Sequence, residues 1–242
     1  MSLSEGEVRM NSFKIAIIGA GSTYTPELID GFVKRKNELP VTDFYLMDLD
    51  KRKLKIVGNF AKRMLDANDI KCKFVMTEDL KTAVKDADFV LSQIRVGKLV
   101  ARVKDEKIPL KHDLIGQETT GIGGFMNALR TIPVMMELAE YIENYSSDAW
   151  LINFSNPSGI VAEALLNNTK VKAIGLCNVP IVMKKEAMQR IPEDAKNVRI
   201  DYVGLNHLSW ITGIYCDGRE ILQDQILDKY DFINMKNIPK MD

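Results

Sequence analysis

The chain alternates short runs that are apolar throughout with longer stretches in which apolar side chains recur every three or four residues. FKIAII (Phe13 to Ile18), DFYLMD (Asp43 to Asp48), KCKFVM (Lys71 to Met76) and DFVLSQ (Asp88 to Gln93) are of the first kind, and PELIDGFVKRK and KRKLKIVGNFAKRMLDAND of the second. A strand apolar on both faces needs cover on both sides, and the helical spacing between the runs supplies it. The pattern therefore predicts an α/β fold built on a doubly wound parallel sheet. It continues through a helix from about Gly124 to Asn144, a strand at AWLIN, a helix after Pro157 and a strand at VKAIG. From Val198 the pattern changes. VRIDYVGLNHLSWITGIYCDGREI reads as extended segments turning at Asp217-Gly218, the start of a second, antiparallel α+β element.

Composition narrows the partners. In 242 residues, 33 basic side chains balance 33 acidic ones, so no bulk charge attracts nucleic acid or an anionic membrane. No apolar run is long enough to span a bilayer, and MSLSEGEVRMNS lacks the apolar centre of a signal peptide. Cys72, Cys177 and Cys216 are odd in number and far apart, which fits a reducing compartment and predicts a cytoplasmic protein.

The first chemical motif is GAGSTYTPE, Gly19 to Glu27. A glycine-rich turn from a first strand into a helix lets backbone amides approach a pyrophosphate, with the helix N-terminus adding a favourable field. Asp48 ends the second strand, where a carboxylate hydrogen-bonds ribose hydroxyls and repels a 2′-phosphate, so NAD is expected rather than NADP. Tyr24 stands where the third glycine of G-x-G-x-x-G belongs, and is expected to loosen helix–strand packing. The expected organisation is a leader over residues 1–12, a Rossmann-like NAD-binding domain over 13–197 and the start of a second domain over 198–242.

A second set of polar groups sits beside apolar strand sequence, in LRTIP, INFSNPSG, IGLCNVP and GLNHLSW. Ligands bind beyond the carboxyl ends of parallel strands, where Asn153, Asn156, Cys177 and Asn178 are expected to emerge. Cys177 and His207 suit a borderline divalent metal, and two ligands would leave coordination positions open for substrate oxygens. The same two residues also read as an inert buried cysteine and a satisfied core histidine.

The strings GAGSTYTPEL, RVGKLVARVKDEKIPLKHDLIGQETTGIGGF, LRTIPV, AWLINFSNPSGIVAEA, IGLCNVP and GLNHL resemble those of the family 4 glycosidases, most closely the 6-phospho-β-glucosidases among them, from about Phe13 to Trp210. The resemblance implies NAD at Gly19, Gly21, Ser22, Thr23, Asp48 and Asn153, and a catalytic metal, usually manganese, at Cys177 and His207. It implies substrate contacts at Arg95 and Asn156, Asn178 beside the metal, and Glu118 near the catalytic base, whose basicity it would raise. Family members cleave a phosphorylated disaccharide or β-glucoside by transient oxidation at C3, loss of the C2 proton and the aglycone, and addition of water. Those acting on α-linked substrates often carry Asp after the cysteine, so Asn178 favours the β-linked class. A malate-like dehydrogenase is the alternative, as is a 6-phospho-α-glucosidase of the same family. Homo-oligomers are usual among such enzymes.

The family continues for roughly as long again, and its base is a tyrosine in that later part, beyond Asp242. This polypeptide alone is therefore expected to bind NAD without turning over phosphoglycosides, and to leave apolar surface uncovered near residues 198–242. Tyr230, in DKYDF, has no motif to recommend it. His112 reads as a polar helix residue, Met135 and Met136 as core filling, and Lys51 to Lys55 as a solvated helix start.

Overall fold

A computed structural model describes residues 12–189, 191 and 197–221. The expected leader, but for Ser12, and Tyr230 lie outside the described residues. The chain forms two compact units, Met1–Leu176 and Cys177–Asp242, dividing ahead of the change of pattern at Val198.

In the first unit the strands β1 (Phe13–Ile18), β2 (Val41–Met47), β3 (Lys73–Thr77), β4 (Phe89–Ser92), β5 (Trp150–Asn153) and β6 (Lys172–Gly175) form one sheet in the order β3-β2-β1-β4-β5-β6. Every pairing is parallel. The connecting helices are α1 (Thr25–Lys34), α2 (Lys51–Asp66), α3 (Leu80–Val84), α4 (Lys98–Leu110), α5 (Gly121–Tyr145) and α6 (Ser158–Asn168).

Side-chain alternation along β1 separates the core into two layers. Ile15 and Ile17 pack with Ile29 of α1, Leu54 and Leu65 of α2, and Phe44 and Leu46 of β2. Ala16 and Ile18 point the other way, into a layer with Met135, Leu138 and Ile142 of α5 and Val161 and Leu165 of α6. Strands buried on both faces are why these runs carry no polar alternation. Met135 is buried and Met136 partly so, both as core filling. No described helix is long and apolar enough to cross a membrane.

Two expectations are corrected. Tyr24 does not loosen the packing of α1: its ring is half exposed, edge-on to Phe154 at 5.6 Å, while Ile29 of α1 is fully buried. His112 is not helical, because α4 ends at Leu110 and the His112 amide closes a turn onto the Pro109 carbonyl. The long helix also starts earlier than expected, at Gly121.

The second unit holds α7 (Val179–Met188) and an antiparallel sheet of β7 (Arg199–Leu205), β8 (Leu208–Cys216) and β9 (Arg219–Glu220). Asp217 and Gly218, with φ of 51° and 83°, supply the left-handed turn between β8 and β9. Ala187, Ile191 and Ile214 form its small core.

Candidate active site

Strand order reverses between β1 and β4, and the chain leaves the carboxyl end of each there. Gly19, just past β1, has φ of 85°, and a methyl group on it would stand 3.0 Å from the Gln93 carbonyl. Only glycine suits that turn. The Asp48 carboxylate, just past β2, is fixed by two backbone amides: Gly21 N–H donates to Oδ2 at 2.8 Å and Asp50 N–H to Oδ1 at 2.8 Å. Ser22 Oγ accepts the Tyr24 amide at 3.2 Å, and Thr23 is exposed. Gln93, which sequence reasoning did not single out, donates through Nε2 to Thr25 Oγ1 at 2.6 Å and so ties β4 to the start of α1. A glycine turn, a fixed carboxylate and a helix start at this place are the features that a dinucleotide pyrophosphate and ribose require.

Past β4, Arg95 pairs with Glu118 in the loop between α4 and α5. Arg102 of α4 also reaches the Glu118 carboxylate, at 3.6 Å, while its Nε donates to Glu106 at 2.8 Å. The Glu106 hydrogen bond, opposed by partial burial and aided by Glu118, holds the Arg102 pKa above its ordinary value. Arg102 stands four residues before Glu106, a helical pairing legible in the sequence, but no spacing marks its approach to Glu118, which comes only through the fold. Asn153 is fully buried, and both ends of its amide bond Ser155: Oδ1 accepts the Ser155 amide and Nδ2 donates to the Ser155 carbonyl, each at 3.0 Å. Asn156 follows in the same β5–α6 loop, its carbonyl accepting from Asn127 Nδ2 at 3.2 Å.

In the second unit, Cys177 and His207 come together, with Sγ 3.2 Å from Nε2. The Val179 amide, at the start of α7, donates to the same sulfur at 3.4 Å, and Asn178 Oδ1 lies 3.9 Å from it. His207 sits in the two-residue connection from β7 to β8 with φ of 111°, a conformation that strains any residue but glycine. Zinc bonds of about 2.3 Å to sulfur and 2.0–2.1 Å to nitrogen, taken as the guide for a borderline divalent ion, span an S···N edge of roughly 3.1–3.6 Å between square and tetrahedral angles. The Cys177–His207 separation fits that edge. Asn206 Oδ1, adjacent in sequence, is buried and has no hydrogen-bond partner among the described residues, as a polar atom awaiting a further group would be. No cluster of three or more His, Cys, Asp or Glu side chains exists among the described residues. Burial pushes the Cys72 and Cys216 thiols up, which suits inert cysteines.

The chain is 42% identical over 233 residues to the 6-phospho-beta-glucosidase of Escherichia coli (strain K12), covering 93% of this chain and 52% of that protein. The 6-phospho-beta glucosidase of Thermotoga maritima, solved with manganese, NAD+ and glucose-6-phosphate, matches with a TM-score of 0.78 and 40% identity over 86% of this chain and 50% of that one. A 6-phospho-alpha-glucosidase from gut microorganisms, solved with NAD and Mn2+, matches with a TM-score of 0.79 and 35% identity, covering 88% of this chain and 49% of that one. Malate dehydrogenase of Plasmodium falciparum, at 16% identity and a TM-score of 0.57 over 85% of this chain and 59% of its own, shares the fold alone. The chain spans about half the length of the glycosidases it matches. The family model described as Family 4 glycosyl hydrolase matches residues 14–193, and the chain belongs to that family.

Proposed function

We propose that the chain serves a 6-phospho-β-glucosidase acting by transient oxidation of the sugar, with NAD and a divalent metal, manganese, as cofactors. The observation that carries the reading is the 3.2 Å approach of Cys177 Sγ to His207 Nε2, in a chain that also carries a dinucleotide turn.

In this reading Gly19, Gly21, Ser22 and Thr23 bring backbone amides to the pyrophosphate. Asp48 takes the ribose hydroxyls, since each of its oxygens holds one amide and keeps a lone pair free. Asn153 acts indirectly, holding the loop after β5 in shape through Ser155. Cys177, as thiolate, and His207 hold the metal, and Asn178 stands beside it. When bound, NAD supplies a reversible hydride acceptor for C3, and manganese supplies Lewis-acid stabilisation for the charge that builds as the C2 proton leaves. Arg95 is the fixed cation for the 6-phosphate, kept oriented by Glu118 until the substrate arrives. Asn156 contacts the sugar. Asn178 cannot protonate a leaving oxygen as an aspartic acid would, which supports the β-linked class over the α-linked one.

The chain by itself is expected to bind NAD and Mn2+ without hydrolysis. The test is therefore a chimera in which residues 13–221 replace the aligned segment of the Escherichia coli relative, supplied with chromogenic 6-phospho-β- and α-glucosides. β-Selective release that needs both NAD and Mn2+ agrees with the proposal. α-Selective release overturns the anomeric assignment, and net accumulation of NADH with substrate overturns the glycosidase reading in favour of a dehydrogenase.

A further inference from the structure

Asn127 lies on α5, nearly fully buried, and no motif marks it. Its side chain joins segments that are distant in sequence. Nδ2 donates to the Asn156 carbonyl at 3.2 Å and, more weakly, to the Glu118 carbonyl at 3.5 Å. Oδ1 accepts from Thr131 Oγ1 at 3.0 Å and from Arg130 at 3.4 Å. With two donors on one side and two carbonyls on the other, only one orientation of the amide satisfies all four. The anchor behind it is strong. Arg130 grips Asp105 of α4 with both guanidinium nitrogens, at 2.8 and 2.5 Å, and the Asp105 carboxylate is 1% exposed. A bidentate pair buried to this degree fixes the Arg130 head group, and through it the Asn127 amide.

We propose that Asn127 is a positioning residue that locks the Glu118 loop to the Asn156 loop, and thereby sets the geometry with which this chain binds the phosphosugar. The proposal rests on the reading of Glu118 and Asn156 as substrate-side residues given above. Its physical content is narrower than that reading: one amide, held by α4 and α5, sets the spacing of two loop carbonyls. The nucleotide cradle around Gly19 and Asp48 makes none of these bonds.

The decisive substitution is Asn127→Asp. It keeps the acceptor that Thr131 and Arg130 use, gains attraction to Arg130, and turns an oxygen instead of an NH2 group toward the two carbonyls. The bonds to Thr131 and Arg130 are kept while the lock becomes a repulsion, and exchange in the β1, β2 and β3 peptides reports whether the fold is retained. Asn127→Ala is the companion variant, removing the lock without repulsion. Hydrogen exchange is followed by mass spectrometry in peptides covering residues 114–126 and 153–162, with peptides of β1, β2 and β3 as controls. NAD and glucose 6-phosphate affinities are measured by calorimetry on the same chain with Mn2+ present. Both variants should speed exchange in the two loop peptides only, and weaken glucose 6-phosphate about tenfold with NAD within about twofold, the scale expected for a lost buried hydrogen bond. Unchanged loop exchange overturns the lock, as does faster exchange spread over the sheet. Local loosening with unchanged glucose 6-phosphate affinity overturns its role in binding. If the unsubstituted chain binds NAD but no glucose 6-phosphate, affinity is read in the chimera with the Escherichia coli relative, where absence of binding overturns the phosphosugar reading, and loop exchange decides whether Asn127 ties the loops.

Discussion

The Asp48 carboxylate accepts the Gly21 amide at 2.8 Å, and a methyl group added to Gly21 would stand 2.8 Å from that same oxygen. The motif glycine is thus required by the acid as well as by the nucleotide. Gly21→Ala should push Asp48 off its two amides and also crowd Lys53 Cβ, 2.9 Å away. NAD affinity should fall at least about tenfold, the equivalent of one strong hydrogen bond lost. Calorimetric titration checks it, and unaltered affinity would show that Asp48 plays no part in binding the nucleotide.

Manganese binding should depend on both members of the Cys177–His207 pair. Cys177→Ser replaces a thiolate by a far poorer ligand, and should weaken Mn2+ at least about tenfold while NAD affinity holds. His207→Gly should also abolish Mn2+ binding yet leave the melting temperature equal or higher. It removes the backbone strain at φ of 111°, a cost of about 1–3 kcal/mol. Electron paramagnetic resonance of Mn2+ together with thermal melts separates the two effects. Undiminished Mn2+ binding in Cys177→Ser would sink the ligand assignment.

Glu118 neutralises a site that faces it with two arginines, Arg95 and Arg102. Glu118→Gln keeps the shape and removes the charge. Inorganic phosphate should then bind severalfold tighter, in line with about 1 kcal/mol for a partly exposed ion pair. Adding Arg95→Gln should cancel the gain. A weaker phosphate affinity in the single variant would mean that Glu118 orients Arg95 more than it competes for it.

Across the β7–β8 hairpin, Val203 pairs with Trp210 and Leu205 with Leu208. These four side chains lie on one face and are 60%, 60%, 66% and 46% exposed respectively. An apolar face of this kind favours self-association. Sedimentation velocity of the chain should therefore show concentration-dependent association that Val203→Ser with Trp210→Ser removes. A sedimentation coefficient that stays monomeric over the whole concentration range would refute it.

The local pattern of the sequence was enough to place most strands and helices. FKIAII, DFYLMD and DFVLSQ each alternate between two buried faces, and that periodicity is a property of neighbouring residues. The turn at Gly19 was legible for the same reason, since a positive φ leaves a glycine in the sequence. His112 was misread because the helical pattern was carried past Pro109, a residue that marks a helix end close by, and α4 stops at Leu110.

Residues that meet across the fold could not be read that way. Cys177 and His207 are thirty positions apart, and nothing in either segment states that a hairpin turn returns the imidazole to the sulfur. Glu118 gathers Arg95 and Arg102, and Asn127 bonds the carbonyls of Glu118 and Asn156, only because α4, α5 and the loops after β4 and β5 pack together. The sequence determined which elements form and which chemistry they carry. The tertiary structure decided which of those groups touch, because the apolar layers on either side of the sheet set the approach of helices whose polar ends have no local signal of their own.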